Sequence, residues 1–280
     1  MSATDALHIY QANGTDEAPL REAISEVEGS VIAKIVSGNF KNTNVSGNPE
    51  AGSVKVSRFL TPTVKTYGTA RTAGKGDYLK DNYVTVNLDQ RKEIVEEINR
   101  FDAQQYGIYD LLTKRREQYA RAMAAHLDKA FFAEAVSAGT EVTPTSQTIA
   151  DQLEEVIQSV ESVSNSNVDG IDRDQIAVAV SPYVWGQLKN HIDTLANPSD
   201  GGVKIELFHG VEIYECTRLA GADVIAMAKG AIAEPAAVDE ARLTEIPLSA
   251  DYALGLYFNY GVKALMPDLI KYATLGEVSA

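Results

Sequence analysis

Apolar and polar residues alternate along two stretches of the chain with the two-residue period of β-strands. In the first stretch, Val54 and Val56 are flanked by polar residues, and residues 84–88 repeat the same alternation. A glycine-rich segment, 71–77, lies between the stretches and is typical of a chain reversal. The pattern predicts a long two-stranded hairpin over 53–98. Such a hairpin has little core of its own and needs another surface to lie on.

The longest helical pattern begins after Asp102 and ends near Gly139. Asp102 can cap the first turn, with Gln105 in the reciprocal position. At 1.5 Å per residue the helix would be roughly 50 Å long, so it is predicted to form a spine across the molecule. Its apolar residues recur with a period near 3.6. They are Ile108, Leu111, Leu112, Tyr119, Ala122, Met123, Leu127, Ala130 and Phe131.

After the break at Thr143-Pro144, the pattern alternates between helix and strand, which predicts a compact α/β unit. A proline after Ser181 marks this residue as a helix N-cap. The predicted elements are a helix with its apolar stripe from Ile149 to Val160, a buried strand at 175–180, a helix that carries Trp185, Leu188, Ile192 and Leu195, and strands at 211–216 and 224–228.

The two ends of the chain complete an α+β organisation. Residues 19–28 predict a short helix, and the Gly/Asn/Ser-rich segment 37–52 predicts an extended arm with little core. At the other end, strand patterns return at 252–260, 262–266 and 269–273. This return predicts a second sheet beside the spine helix.

The charge of the chain is strongly negative overall but unevenly spread. The net charge is −14, which argues against an extended nucleic-acid surface, because such binding needs clustered Lys and Arg. Residues 54–81 nevertheless carry six basic and two acidic side chains, a net of +4, whereas 147–174 carry one basic and seven acidic side chains, a net of −6. A basic and an acidic region in one chain suggest that its copies attract one another.

No pattern of reactive residues points to catalysis. The glycine-rich segment at Lys75 lacks the Lys-Ser/Thr spacing of a phosphate loop, and the four histidines are scattered without nearby triad or metal partners. The single cysteine, Cys216, excludes an internal disulfide and fits a buried strand. No apolar stretch approaches the roughly 20 residues of a membrane span, and the N-terminus is unlike a secretory signal. We therefore expect no catalytic, cofactor-binding or metal-binding residues and no contact with a membrane.

The order of arm, basic hairpin, spine helix, α/β unit and returning strands resembles the Hong Kong 97 type fold of the major capsid proteins of tailed bacteriophages. Short stretches with the family's character support this resemblance: Ala177–Trp185, Phe208–Glu215, Ala228–Ala233 and Tyr260–Pro267. The resemblance implies five parts. They are an N-arm (1–52), an E-loop hairpin (53–98), a P-domain with the spine helix (99–146), an A-domain (147–235) and P-domain return strands (236–280).

By this resemblance the chain is a shell subunit that assembles with itself into pentamers and hexamers and encloses DNA without reading its sequence. The hairpin would lie over a neighbouring subunit, with its cations at the contact, namely Arg58, Lys65, Arg71, Lys75 and Lys80. The subunit would be made in the bacterial cytoplasm and end in the virion. The resemblance also implies a portal and decoration proteins as partners. A separate scaffolding protein is expected as well, since only about fifty residues precede the hairpin and they lack the long charged helices of a fused scaffold.

Two other interpretations stay open at this stage. An encapsulin-like shell of a bacterial compartment shares the fold and differs in its cargo. A soluble α/β enzyme or ligand-binding protein belongs to a different class, and it would need a polar pocket that the sequence does not indicate.

Overall fold

The computed structural model describes residues 30–31, 34–46, 52–57, 66–67, 83–101, 108–165, 168–189, 191–196, 204–249 and 251–276. Three helices lie within these ranges: α1 (Ile108–Ala138), α2 (Ile149–Glu161) and α3 (Pro182–Leu188). Short 3-10 turns occur at Ser37–Asn39, Arg173–Gln175 and Pro267–Leu269. The strands are β1 (Val45–Ser46), β2 (Ser53–Ser57), β3 (Tyr83–Asn87), β4 (Gln90–Ile98), β5 (Thr140–Glu141), β6 (Ile176–Val180), β7 (Ile192–Ala196), β8 (Lys204–Phe208), β9 (Val211–Glu215), β10 (Val224–Ala228), β11 (Ile232–Ala233), β12 (Ala236–Glu245), β13 (Tyr252–Tyr260), β14 (Lys263–Ala264) and β15 (Ile270–Ala273).

Helix α1 is the predicted spine, and its 31 residues make it about 46 Å long. One face is buried through Tyr119, Met123, Leu127 and Phe131, which recur every four residues. The predicted end near Gly139 is confirmed, whereas the predicted cap at Asp102 and the first apolar residues of the stripe lie where the structure describes no side chains. Ala122, although predicted on the buried face, is exposed.

The α/β unit is built on a seven-stranded mixed sheet with the order β5-β15-β10-β6-β9-β8-β7. Strands β6 and β10 lie near its centre, and all ten of their residues are buried. Helix α2 covers one face with the stripe predicted from Ile149 to Val160, every member of which is buried. Thr148 caps this helix by accepting a hydrogen bond from the Asp151 N–H.

Two elements of this unit differ from the predictions. Helix α3 begins as predicted, with Ser181 as its cap, but ends at Leu188, and Ile192 and Leu195 lie in strand β7 instead of in the helix. The spacing of these two residues fits both structures, and antiparallel pairing of β7 with β8 decides between them. Strand β15 was predicted in the second sheet, yet it pairs with β10 in this one, where its apolar ends are buried.

The second sheet has three strands in the order β12-β13-β4. Leu254, Leu256, Phe258 and Tyr260 of β13 form one buried cluster with the α1 face, so the predicted sheet beside the spine is confirmed for β13. Strand β4 pairs with β13 along its full length. The prediction of a single hairpin over 53–98 is therefore wrong for the segment that forms β4, because Ile94 and Ile98 pack against the cluster that includes the spine. The five-part division of the chain remains a prediction.

Candidate assembly surfaces

The base of the hairpin lies on the body of its own subunit. Strands β2 and β3 pair antiparallel from Ser53↔Asn87 to Ser57↔Tyr83, as the alternation predicts, and β1 adds a short third strand. Val54, Val56 and Val86 are at most 1% exposed and belong to the main core cluster. The expectation that the hairpin has little core in its own chain is therefore wrong for its base.

The five cations predicted at subunit contacts lie outside the described residues. Arg58, Lys65, Arg71, Lys75 and Lys80 all fall between β2 and β3 in the sequence, so each belongs to the segment that connects these strands. Their role at a contact remains a prediction. On the described base of the hairpin, Lys55 is exposed on the face opposite to the buried valines.

The predicted acidic region is held together by one arginine. Arg173 donates to Glu154 and to the backbone oxygen of His209, and its Nε lies 2.6 Å from a carboxylate oxygen of Glu161. Although burial alone would raise the pKa of Glu154, hydrogen bonds from Arg173, His209 and Gln158 lower it. Glu154 therefore stays ionised, and the network fixes the end of α2 against the β8–β9 turn.

The neighbouring Glu155 points in a different direction from the helix, since adjacent helical residues are about 100° apart, and it binds a different segment. Its carboxylate accepts hydrogen bonds from the side chain and backbone N–H of Ser146 and from those of Thr145. These bonds lower the pKa of Glu155. The pair Glu154 and Glu155 thus anchors two separate loops and forms no acid/base couple.

The end of the predicted arm is anchored in the core by an aromatic ring. Phe40 is fully buried, and its ring centroid lies 5.8 Å from that of Phe132, 5.4 Å from that of Tyr214 and 6.4 Å from that of Phe131. Beyond it, the Asn42 N–H donates to the Ile232 oxygen at 2.8 Å. Residues 36–42 therefore join the spine helix to the α/β sheet, although the sequence predicts little core in this segment.

The β12–β13 hairpin turn exposes an apolar side chain at the tip of the second sheet. Leu248 is fully exposed and has a φ of 65°, a conformation that is costly for a branched side chain. The Arg100 N–H donates to Asp251 Oδ1 at 3.0 Å, which brings the end of β4 to the same tip. Phe101, in this adjoining segment, is 77% exposed. An exposed, strained leucine and an exposed phenylalanine on two segments joined by this hydrogen bond are the kind of feature that marks a protein contact.

The cysteine and histidine side chains of the described residues are either buried in the fold or exposed apart from one another. The Cys216 thiol is buried, and burial raises its pKa. His126 Nε2 lies 3.0 Å from the Tyr260 hydroxyl, whereas His191 and His209 are exposed; His8 lies outside the described residues. Within the described part of the chain, no three metal-ligating side chains come together, and none of the helices has the length and apolar character needed to cross a bilayer.

Comparison with known proteins connects this fold to virus shells. Residues 84–268 match the family described as phage capsid protein. The structure is similar to a chain from Mycobacterium phage Che8, with 20% identity, 79% of this chain and 84% of that chain covered, and a TM-score of 0.55. It is also similar to the capsid of cyanophage P-SCSP1u, with 13% identity, coverage of 85% and 87%, and a TM-score of 0.55.

An encapsulin complex is equally similar in fold. The encapsulin SrpI complex of Synechococcus elongatus PCC 7942 matches with 11% identity, 84% of each chain covered and a TM-score of 0.55. No curated protein matches the sequence. At these identities the solved structures establish the fold, whereas the family match identifies the kind of shell.

Proposed function

The chain belongs to the phage capsid protein family and is a major capsid protein of the virion shell, and we propose that this shell is icosahedral and encloses a double-stranded DNA genome. The observation that carries the proposal is the family match over 84–268, which runs from the hairpin base through the spine helix and the α/β unit. The family is one of structural proteins, and we infer that the subunit works by assembly without catalysis.

We propose that the five predicted parts have separate tasks in the shell. The connection between β2 and β3 lies over a neighbouring subunit, the 147–235 region meets its copies around the axis of each pentamer or hexamer, and the N-arm reaches adjacent chains. Repeated head-to-tail contacts of this kind close into rings. Each contact needs to bury at least about 1,000 Å² to persist. The contacts are expected to form in the host cytoplasm, with a scaffolding protein, a portal and decoration proteins as further partners.

The similarity to an encapsulin complex means that an encapsulin-like shell is the alternative to test. Electron microscopy of purified particles distinguishes it from the proposed phage capsid. DNA-filled or tail-bearing particles are the expected result. Particles packed with an enzyme would establish the alternative. A protein that sediments at its 30.2 kDa mass under all assembly conditions would contradict both and would favour a soluble α/β enzyme or binding protein.

The basic connection between β2 and β3 gives a first prediction. Reversal of Arg71, Lys75 and Lys80 together to Glu is expected to reduce the yield of shells at least tenfold, because the changed segment would repel an acidic neighbour. The melting temperature of the subunit should stay within about 2 °C, because the proposed contact places these side chains between subunits and substitutions on the surface of a subunit alter its stability little. Sedimentation of assembly reactions measures the yield, and circular dichroism measures the melting.

The same three residues changed to Gln provide a graded control. This neutral variant should assemble at an intermediate yield, and its yield should depend less on salt than that of the wild type. Equal yields for the wild type and the Glu variant would contradict the electrostatic part of the proposed contact.

The exposed tip of the second sheet gives a second prediction. We propose that Leu248 contacts another subunit, since its side chain contributes nothing to the fold of its own chain. Leu248→Asn should fold at least as well as the wild type, because Asn tolerates the left-handed backbone of this turn, but its shell yield should fall at least fivefold. Leu248→Met keeps an apolar side chain and should assemble normally. Normal shells from the Asn variant would remove Leu248 from the contact.

A further inference from the structure

Three polar side chains are buried together where the arm crosses the spine helix: Ser37, Asp128 and Glu234, none more than 3% exposed. Asp128 is fully partnered as an anion. Its Oδ1 accepts the backbone N–H groups of Val36 at 3.1 Å and Ser37 at 2.9 Å, and its Oδ2 lies 3.3 Å from Arg218 Nη1. The backbone of Val36 and Ser37 is therefore bonded to the spine through a single carboxylate, next to Val31 and Ile35, whose side chains are buried against the same helix.

Glu234 has far fewer partners than Asp128. Its Oε2 accepts a hydrogen bond from the Ser37 hydroxyl at 3.1 Å, whereas Oε1 is buried and has no hydrogen-bond partner among the residues that the structure describes. A nearby carboxylate disfavours the ionised form of a buried carboxyl, and of the two only Asp128 has backbone N–H donors and an arginine beside it. Glu234 is the carboxyl that carries a proton. In agreement, burial and the nearby Asp128 raise the pKa of Glu234 to about 8 against the opposing charge of Lys41.

The other titratable groups around this site keep one charge state between pH 7 and 9. Tyr260 on β13 faces Glu234, and burial raises the pKa of its hydroxyl. Burial lowers the pKa of His126, the partner of Tyr260, so the imidazole is neutral throughout. The Cys216 thiol near Asp128 has its pKa raised by burial. Among the described groups facing the site, Glu234 is the one whose charge changes in this range.

We propose that the proton on Glu234 closes a latch that holds Val36 and Ser37 against Asp128, and that its loss opens the latch while Phe40 stays anchored. An ionised Glu234 would be a buried charge with one hydroxyl donor beside a second carboxylate, which is costly. The Ser37 hydroxyl is hydrogen-bonded to Glu234, so displacement of Ser37 is a direct way to admit water. The ring contacts of Phe40 and the backbone hydrogen bond of Asn42 do not involve Ser37 or Glu234, and they hold.

An open latch would free the backbone of Val36 and Ser37 from the spine, between the buried side chains of Ile35 and Phe40. The inference goes beyond the proposed shell function, because it concerns how a proton controls one attachment of the arm and holds whether or not the arm contacts other subunits. It also differs from general alkaline unfolding. Unfolding would release the Asn42 N–H bonded to Ile232 and the Gly230 N–H bonded to Phe40, whereas the latch leaves both of these amides protected.

Hydrogen exchange of the full-length subunit between pH 6.5 and 9.5, with rates divided by the intrinsic rate at each pH, tests the latch. The protection factors of the Val36 and Ser37 amides should fall roughly tenfold for each pH unit from pH 6.5 to about 8, because the carboxyl is already ionised in the open state. They should level off above about pH 8, where Glu234 ionises in the closed state too. Those of the Asn42 and Gly230 amides should stay constant. Glu234→Gln, which imitates the protonated acid, should hold the first pair constant up to pH 9.5.

Two further variants make the result decisive. Lys41→Met removes the cation that favours ionised Glu234 and should move the pH at which protection levels off to a higher value. Glu206→Gln changes an exposed glutamate and should keep the wild-type profile. The proposal is overturned if Glu234→Gln retains the wild-type fall, if Lys41→Met leaves the levelling pH unchanged, or if all four amides lose protection together.

Discussion

Replacement of Gly261 with alanine is expected to force the base of the hairpin away from the body of the subunit. A Cβ at this position would lie 2.0 Å from the Asn87 carbonyl oxygen and 3.3 Å from the Leu88 Cα. Both atoms are backbone, so no side-chain rotation relieves the overlap. The Gly261 N–H donates to the Pro235 oxygen, and the Leu88 N–H donates to the Gly52 oxygen. These hydrogen bonds restrain the backbone on both sides of the contact, so neither side can move away freely.

The Gly261→Ala subunit should lose about 3 kcal/mol of its free energy of unfolding, the upper end of the usual cost of overpacking. Leu88 and Val86, which are buried beside the clash, should lose their packing, and the Leu88 amide should exchange faster than amides of the α/β sheet. Urea unfolding measures the first effect and hydrogen exchange the second. Shell yield should also fall, because the hairpin would leave the body in an altered direction.

Gly186→Ala is the matched control for this prediction. Gly186 lies in helix α3, and a Cβ there meets nothing within 4 Å. Alanine at an open helical site should stabilise the subunit by about 0.5–1 kcal/mol. If Gly261→Ala unfolds at the urea concentration of the wild type and protects Leu88 equally, the hairpin base does not pack against Gly261 as described.

The elements that could be predicted from the sequence are those whose period of apolar residues is unambiguous. Helix α2 has its stripe at helical spacing from Ile149 to Val160, and strand β6 is a continuous apolar run of strand length. Helix α1 is so long that an error at single positions, such as the prediction that Ala122 is buried, does not change the prediction of a helix. In these cases local pattern and tertiary packing agree, and the pattern is sufficient.

The remaining elements depend on contacts between distant residues. Ile192 and Leu195 fit a helix or a strand, and only pairing with β8 selects the strand. The strand pattern of β15 indicates its conformation but not the sheet that it joins. Its paired residues in β10 lie at least 43 positions away along the chain. Alternation likewise predicted β4 as a strand without indicating that β13 is its partner.

The polar site under the arm was beyond sequence reasoning for the same reason. Ser37 bonds to residues 91 and 197 positions away, and its Gly/Asn/Ser-rich surroundings resemble a surface segment. No sequence signal pointed to Leu248, because Ile246 and Pro247 directly precede it and the sequence did not reveal the strand β12 that makes the turn.

Removal of the Phe40 ring is expected to have an effect as large as the clash at Gly261. Phe40→Ala should lower the free energy of unfolding by about 3–5 kcal/mol, the usual cost for a buried phenylalanine. The ring is fully buried, and its edge-to-face contacts with Phe132 and Tyr214 join the spine helix to the α/β sheet. The Asn42 amide should lose protection in hydrogen exchange, because the anchor of its segment is gone.

A phenylalanine-to-alanine change at an exposed site is the control. It shows how much stability is lost when a ring that packs against little is removed. Phe101 is 77% exposed, so Phe101→Ala should change the free energy of unfolding by no more than about 0.5 kcal/mol. Phe40→Leu keeps most of the buried apolar surface and should cost about 1–2 kcal/mol. A Phe40→Ala subunit that unfolds like Phe101→Ala and still protects Asn42 would mean that the arm is held by its hydrogen bonds alone. Since those bonds contribute only about 1 kcal/mol each, the larger loss is the expected outcome.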